Sequence, residues 1–167
     1  MEVSVDTIKT LRERTSAGIM DCKRALVESD GDLDKAEEML AQLGIASAAK
    51  RASRTTNEGL IESYIHSGGR IGVIVEINCE TDFVARTDEF KELAHDVAMQ
   101  VAAMAPLYVD SEDIPDGTEA GDQESVLMLQ PFIKDPTKSI RDLVNESVGK
   151  LGENIRVRRF TRFSLGE

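Results

Sequence analysis

From Val5 to Leu43 the apolar residues recur at three- and four-residue intervals, the spacing of one helix face. Ser4 can cap a first helix over about Val5 to Arg14, with Ile8 and Leu11 on one side and Lys9, Arg12 and Glu13 mostly on the other. Thr15-Ser16-Ala17-Gly18 breaks it, and a second helix from near Gly18 carries Ile19, Cys22 and Leu26 before the turn-forming Glu28-Ser29-Asp30-Gly31. A third helix, capped by Asp32, aligns Leu33, Ala36, Leu40 and Leu43 and is expected to end at Gly44 in a left-handed cap. Residues 1–44 thus read as a three-helix module with a small core, marginal alone. Met20 lies beside the Ile19/Cys22/Leu26 face, where it either meets a partner or packs on a neighbouring helix.

Residues 45–57 shift to Ala, Ser, Thr, Lys and Arg and read as a partly helical linker whose Lys50, Arg51 and Arg54 face either an acidic surface or water. The period then changes to two. Gly59 to His66 and Ile71 to Cys79 are strand-like around the hairpin turn Ser67-Gly68-Gly69-Arg70. Ile71, Val73, Val75, Ile77 and Cys79 share one face and Ile74 adds apolar surface to the other, which makes the second strand central. A helix from about Asp88 to Ala105, capped by Thr87 or Asp88, carries Phe90, Leu93, Ala94, Val97, Val101 and Met104 along the stripe that should lie on the sheet. Beyond Pro106 an acidic stretch from Asp110 to Glu124, including Glu119 and Asp122, reads as a mobile surface loop. Gln130 to Ile133 reads as extended, and Ser139 to Leu151 as a helix capped by Gly152. The last strand, Ile155 to Leu165, shifts parity at Phe160 and again at Phe163, the mark of a bulge or twisted edge. Its Arg156, Arg158, Arg159 and Arg162 form a basic stripe that faces an acidic partner, the acidic loop or water, the first two favoured because like charges on one strand repel unless opposite charge is near. Residues 58–167 form the core of the chain.

Between the most apolar strand and the longest amphipathic helix stands Thr81-Asp82-Phe83-Val84-Ala85-Arg86. A short turn between two packed elements is held rigidly yet lies at the surface. Asp82 and Phe83 are therefore either a displayed tip, or a helix cap and a core residue. Because Thr87 or Asp88 can cap the following helix, Asp82 is not needed there.

Composition narrows the chemistry. A formal net charge of -11 argues against general phosphate neutralisation, so no direct nucleic-acid partner is expected, although the arginine-rich last strand keeps local binding open. No apolar run nears the roughly 20 residues of a membrane span, and the first residues lack the pattern of a signal peptide, which places the chain in the cytoplasm. Cys22 and Cys79 lack CxxC spacing and read as buried thiols, and the acidic stretch lacks EF-hand spacing, so neither metal nor cofactor is expected. With His66 and His95 the only histidines, a hydrolase built on Cys79 is disfavoured and the chain does not read as an enzyme. A non-enzymatic adaptor, its three-helix module binding a helical ligand, remains a rival.

Three stretches, in order, resemble one family: Leu11-Arg12-Glu13-Arg14-Thr15 running into Ala17-Gly18-Ile19-Met20-Asp21-Cys22-Lys23-Arg24-Ala25-Leu26; Asn78-Cys79-Glu80-Thr81-Asp82-Phe83-Val84-Ala85-Arg86; and Lys150-Leu151-Gly152-Glu153-Asn154-Ile155 through Arg158-Arg159-Phe160. They are similar to the translation elongation factor Ts family. The resemblance implies an α+β fold: a three-helix, ubiquitin-associated-like module followed by an α+β core with an antiparallel sheet packed on helices. It implies guanine nucleotide exchange on elongation factor Tu, with Phe83 as an apolar wedge, Asp82 as its polar partner, and Thr81 and Val84 shaping the turn. Arg12, Met20 and Lys23 match positions that face the partner's nucleotide domain. The magnesium and GDP acted upon belong to that partner. Ser16 and Ile19 stand where the family usually has Gly and Met. Long members carry a second core half that this chain is too short to hold, and short members form homodimers, so a homodimer through the sheet region is expected.

Overall fold

The computed structural model describes residues 3–15, 17–118 and 123–167. Ser16 of the first interhelical break, and Glu119, Gly121 and Asp122 of the acidic stretch, lie outside the described residues. Ser4 Oγ accepts from the Thr7 amide at 3.1 Å and starts α1 (Val5–Thr15). Helix α2 (Ile19–Glu28) follows, and Asp32 caps α3 (Leu33–Arg51) by accepting from the amides of Asp34 and Lys35. The three helices close on Leu11, Cys22, Ala25, Leu26 and Ala36. Burying a leucine contributes roughly 1.5–3 kcal/mol, so this core alone is slender.

Two expectations fail here for one reason. Gly44 does not cap α3, which continues to Arg51, and Leu43 does not join the core but stays 45% exposed. The helix continues because its second half packs on α6 (Ile140–Leu151), where the buried Gly44 meets Gly149. Ala46, Ala48 and Ala49 favour the helix locally, and contact with α6 carries it past Gly44. Ile19 also departs from its expected buried face: Cys22, Ala25 and Leu26 are the buried residues of α2, and Ile19, its first residue, is 54% exposed.

Strands β1 (Glu58–Ile65) and β2 (Ile71–Cys79) form the antiparallel hairpin, with Gly68 and Gly69 at positive φ in its turn. Gly59 is at φ +145°, and a Cβ there would stand only 2.0 Å from the Ile77 carbonyl oxygen, so this position accepts no side chain. Strand β5 (Arg156–Ser164) pairs antiparallel on the other side of β2, giving the order β1-β2-β5 with β2 central. Thr87 caps α5 (Asp88–Met104), whose Phe90, Leu93, Ala94, Val97 and Val101 are buried in one cluster with Val73, Val75 and Ile77. Met104, at the helix end, stays 40% exposed and is not part of that stripe.

Register explains the parity of the last strand. Glu76 pairs with Arg159 but Ile77 with Val157, so Arg158 is the extra residue of a single bulge. The second shift does not occur: Phe163 stays on the outer face, 69% exposed, because Phe160 and Arg162 already alternate inward. Arg156 and Arg158 line a cavity with Asp110, Glu112 and Asp113 of the acidic stretch, while the closest ion pair of the strand lies within the sheet. Arg159 binds Glu76 at 2.7 Å, Arg158 approaches the same carboxylate at 4.0 Å, and Arg162 donates twice to the Ala102 carbonyl at the end of α5. Within the acidic stretch, Asp110 instead pairs with Arg141 of α6 at 2.7 Å.

A small ribbon, β3 (Pro131–Phe132) with β4 (Asp135–Ser139), has no counterpart in the hydrophobic pattern beyond the extended Gln130 to Ile133. Buried Gln100 holds it to α5, donating to Gln130 Oε1 and to the Pro131 carbonyl while accepting from the Ile133 amide at 2.9 Å. The product is an α+β fold, N-terminal helices followed by an antiparallel sheet packed with helices.

Candidate functional site

Strand β2 ends at Cys79, and two residues later the chain makes a single helical turn, α4 (Asp82–Ala85). Thr81 is its cap, with Oγ1 accepting from the Val84 amide at 3.4 Å. Thr87 closes the other side: its hydroxyl donates to the Val84 carbonyl at 2.8 Å and accepts from the Phe90 amide at 3.2 Å. Within that turn Ala85 is buried and Val84 packs against the main core. Phe83 points the other way and is 78% exposed.

That exposure decides between the two readings of the turn. Burying a phenylalanine would stabilise the fold by roughly 1.5–3 kcal/mol, and this chain forgoes it at a residue gripped on both sides. Asp82 is not a cap either, since Thr81 and Thr87 take both capping positions. Its carboxylate instead meets Arg86 one turn on, at 2.8 Å. Sequence reasoning missed Arg86 as the partner of Asp82, although i,i+4 spacing of opposite charges was there to be read.

The base of the turn is held from far along the chain. Glu153 Oε2 accepts from the amides of Glu80 and Thr81, both at 3.0 Å, and Oε1 accepts from the Thr81 hydroxyl at 2.6 Å. Glu80 answers by accepting the Asn154 amide at 2.7 Å, and Arg54 approaches Glu80 at 3.6 Å. No local signal marks the Glu153 contacts, which span more than seventy residues.

Cys79 is fully buried and donates to the Thr81 carbonyl at 3.1 Å. Burial first, and the negative Glu153 second, push its thiol up to about 11. A thiol so shifted is no nucleophile at neutral pH. His66 bonds Tyr64 at the opposite end of the hairpin, and His95 meets Glu62, which pairs with Val75, about 13 Å along the strand from Cys79. The cysteine hydrolase has no site here. Among the described residues no group of three or more His, Cys, Asp or Glu is arranged to hold a metal ion, and no helix is long and apolar enough to cross a membrane.

Arg12 on α1 and Met20 and Lys23 on α2 all reach the surface, Met20 at 69% exposure. Among the described residues neither Arg12 nor Lys23 has an ion pair, whereas neighbouring Arg14 and Arg24 are paired with Asp34 and Asp21. These three residues and the Thr81–Val84 turn sit on separate elements, bridged by α3 packed on α6 and by Glu153 just beyond α6.

A family model described as elongation factor TS matches residues 2–121. The chain belongs to the elongation factor Ts family. It is 50% identical to the elongation factor Ts of Thermotoga sp. (strain RQ2) over 195 aligned positions, covering 100% of this chain and 98% of that relative. It is 47% identical to that of Thermoanaerobacter sp. (strain X514), covering 99% and 96%, and 50% identical to that of Carboxydothermus hydrogenoformans, covering 99% and 90%. The alignments are longer than the chain, so these elongation factor Ts relatives carry residues it lacks. Membership makes the chain a translation elongation factor acting in protein biosynthesis.

Proposed function

We propose that this chain is the guanine nucleotide exchange factor of elongation factor Tu, working in the cytoplasm without catalytic residues or a cofactor of its own. The Asp82–Phe83 turn enters the partner's nucleotide domain and disturbs the groups holding magnesium and the phosphates of GDP. Thr81 and Val84 shape the turn, and Arg12, Met20 and Lys23 grip the same domain elsewhere. The observation that carries this reading is Phe83, 78% exposed on a doubly capped turn. An exchange factor needs binding energy that is realised only when nucleotide leaves, and by linkage it weakens GDP as much as GDP weakens it. Burying Phe83 in the partner supplies roughly 1.5–3 kcal/mol, equivalent to about 10- to 160-fold in release rate.

The test is release of fluorescent GDP from elongation factor Tu of the same source, with substoichiometric protein, beside Phe83→Ala. Fast release that the variant loses by that factor supports the wedge. Unchanged release with the wild-type chain overturns the reading and favours the adaptor.

The working species in this proposal is a homodimer closed through the sheet. The outer face supports it: Ile61, Ile65, Ile74 and Phe163 are each at least 50% exposed there, in rows set by the pairs Ile65–Gly72–Phe163 and Ser63–Ile74–Thr161. An apolar sheet face of this kind is what a second copy can cover.

A further inference from the structure

We propose that Glu153 is the positioning residue of the exchange turn, fixing the angle at which Phe83 is presented; this rests on the wedge reading above. A helix of one turn has no stability of its own, and Phe83, 78% exposed and outside the hydrophobic core, gains little orientation from packing. The turn must therefore be set from its base. There, the β2–β5 pairing has ended at Asn78 and the β1–β2 pairing at Cys79. The amides of Glu80 and Thr81 thus lie beyond the ladder, and a backbone donor without an acceptor is costly. Both amides point at one carboxylate oxygen of Glu153, and the other oxygen takes the Thr81 hydroxyl. One ionised side chain satisfies three donors on the two residues preceding Asp82, and charge-assisted bonds are the strong ones.

The anchor is itself anchored. The Asn154 amide donates to Glu80, and the Asn154 side chain donates to the carbonyls of Ala52 at 3.4 Å and Arg54 at 2.8 Å. Thus the base of the turn, the end of α6 and the exit from α3 meet at Glu153-Asn154. Asn154 is buried, so this junction has little room to shift. When the anchor is lost, part of the binding energy goes into ordering the turn rather than into opening the partner. The N-terminal grip on the partner is untouched by that loss. Glu153 therefore affects the rate of nucleotide release from the assembled complex and not the concentration at which the complex forms.

The experiment compares the full chain with Glu153→Ala, Glu153→Gln and Val144→Ala, the last a buried α6 residue that lowers stability away from the turn. Fluorescent GDP release from elongation factor Tu is followed against concentration, separating the maximal rate from the half-saturating concentration. Amide hydrogen exchange is measured on each protein alone. Glu153→Ala is expected to lower the maximal rate at least tenfold with the half-saturating concentration within twofold. Its Thr81 amide should exchange at least tenfold faster while Val75 and Ile77 stay protected. Glu153→Gln, which keeps an acceptor oxygen for the two amides, recovers most of the rate, and Val144→Ala keeps it at equal loss of melting temperature. A folded Glu153→Ala protein with the wild-type maximal rate overturns the proposal, as does an equal loss in Val144→Ala or an unchanged Thr81 amide. If the wild-type chain fails to speed release, the exchange reading falls and positioning for exchange falls with it. Faster Thr81 exchange in Glu153→Ala then still shows that the carboxylate holds the turn, so the two failures are told apart.

Discussion

A Cβ added to Gly149 would stand 3.2 Å from the Cα of Gly44, so α3 and α6 cross with backbone against backbone. A side chain at position 149 would press on α3, and through it on the N-terminal helices that carry Arg12, Met20 and Lys23.

Gly149→Ala is expected to destabilise by up to about 2 kcal/mol, the overpacking cost of roughly 1–3 kcal/mol less the roughly 1 kcal/mol that alanine gains in helix propensity. Gly44→Ala should be near neutral or stabilising, since its Cβ would meet Asn145 O at an ordinary 3.5 Å. Urea unfolding of both variants checks the difference in sign. Equal losses would mean that helix crossing does not set the docking.

Phe83→Ala should leave stability within about 0.5 kcal/mol of the parent, as exposed positions do, because Phe83 is 78% exposed and contributes little buried surface. Thermal unfolding reads this directly. A large drop in melting temperature would show that Phe83 packs in solution, and the displayed-wedge reading would be lost.

The Cys79 thiol gives a pH signature. Its folded value of about 11 lies above the ordinary 9.0, so between these the unfolded chain gives up a proton that the native one keeps. The resulting stability is complete below pH 9 and declines as pH rises towards 11. Unfolding free energy measured across that window should fall more steeply for the parent than for Cys79→Ala. Equal slopes would refute the shift. Alkylation of Cys79 in the native protein should likewise be far slower than in urea.

Light scattering should return twice the 18.3 kDa chain mass, and Ile74→Glu, in the middle of the outer sheet face, should return one chain mass with its fold intact. A monomeric parent at working concentration removes the homodimer.

The local elements were legible because local physics makes them. Ser4, Asp32 and Thr87 stand where they cap helices, Gly68 and Gly69 turn the hairpin, and the alternation from Ile71 to Cys79 describes the central strand. A cap at Thr87 or Asp88 that left Asp82 unneeded also made the turn readable as a display, and the stretch from Asn78 to Arg86 was one of three that pointed to the family. What only tertiary structure decided involves residues distant along the chain. Gly44 reads as a stop until α6 lies against it, Phe163 reads as inward until β5 finds its register on β2, and Leu43 and Met104 share a helical spacing with buried residues yet stay partly exposed. Glu153 stands in one of the three stretches that resemble the family, but only folding brings its carboxylate under the amides of Glu80 and Thr81. Periodicity and capping act over a few residues, whereas the contact that holds the turn has no local spacing to betray it.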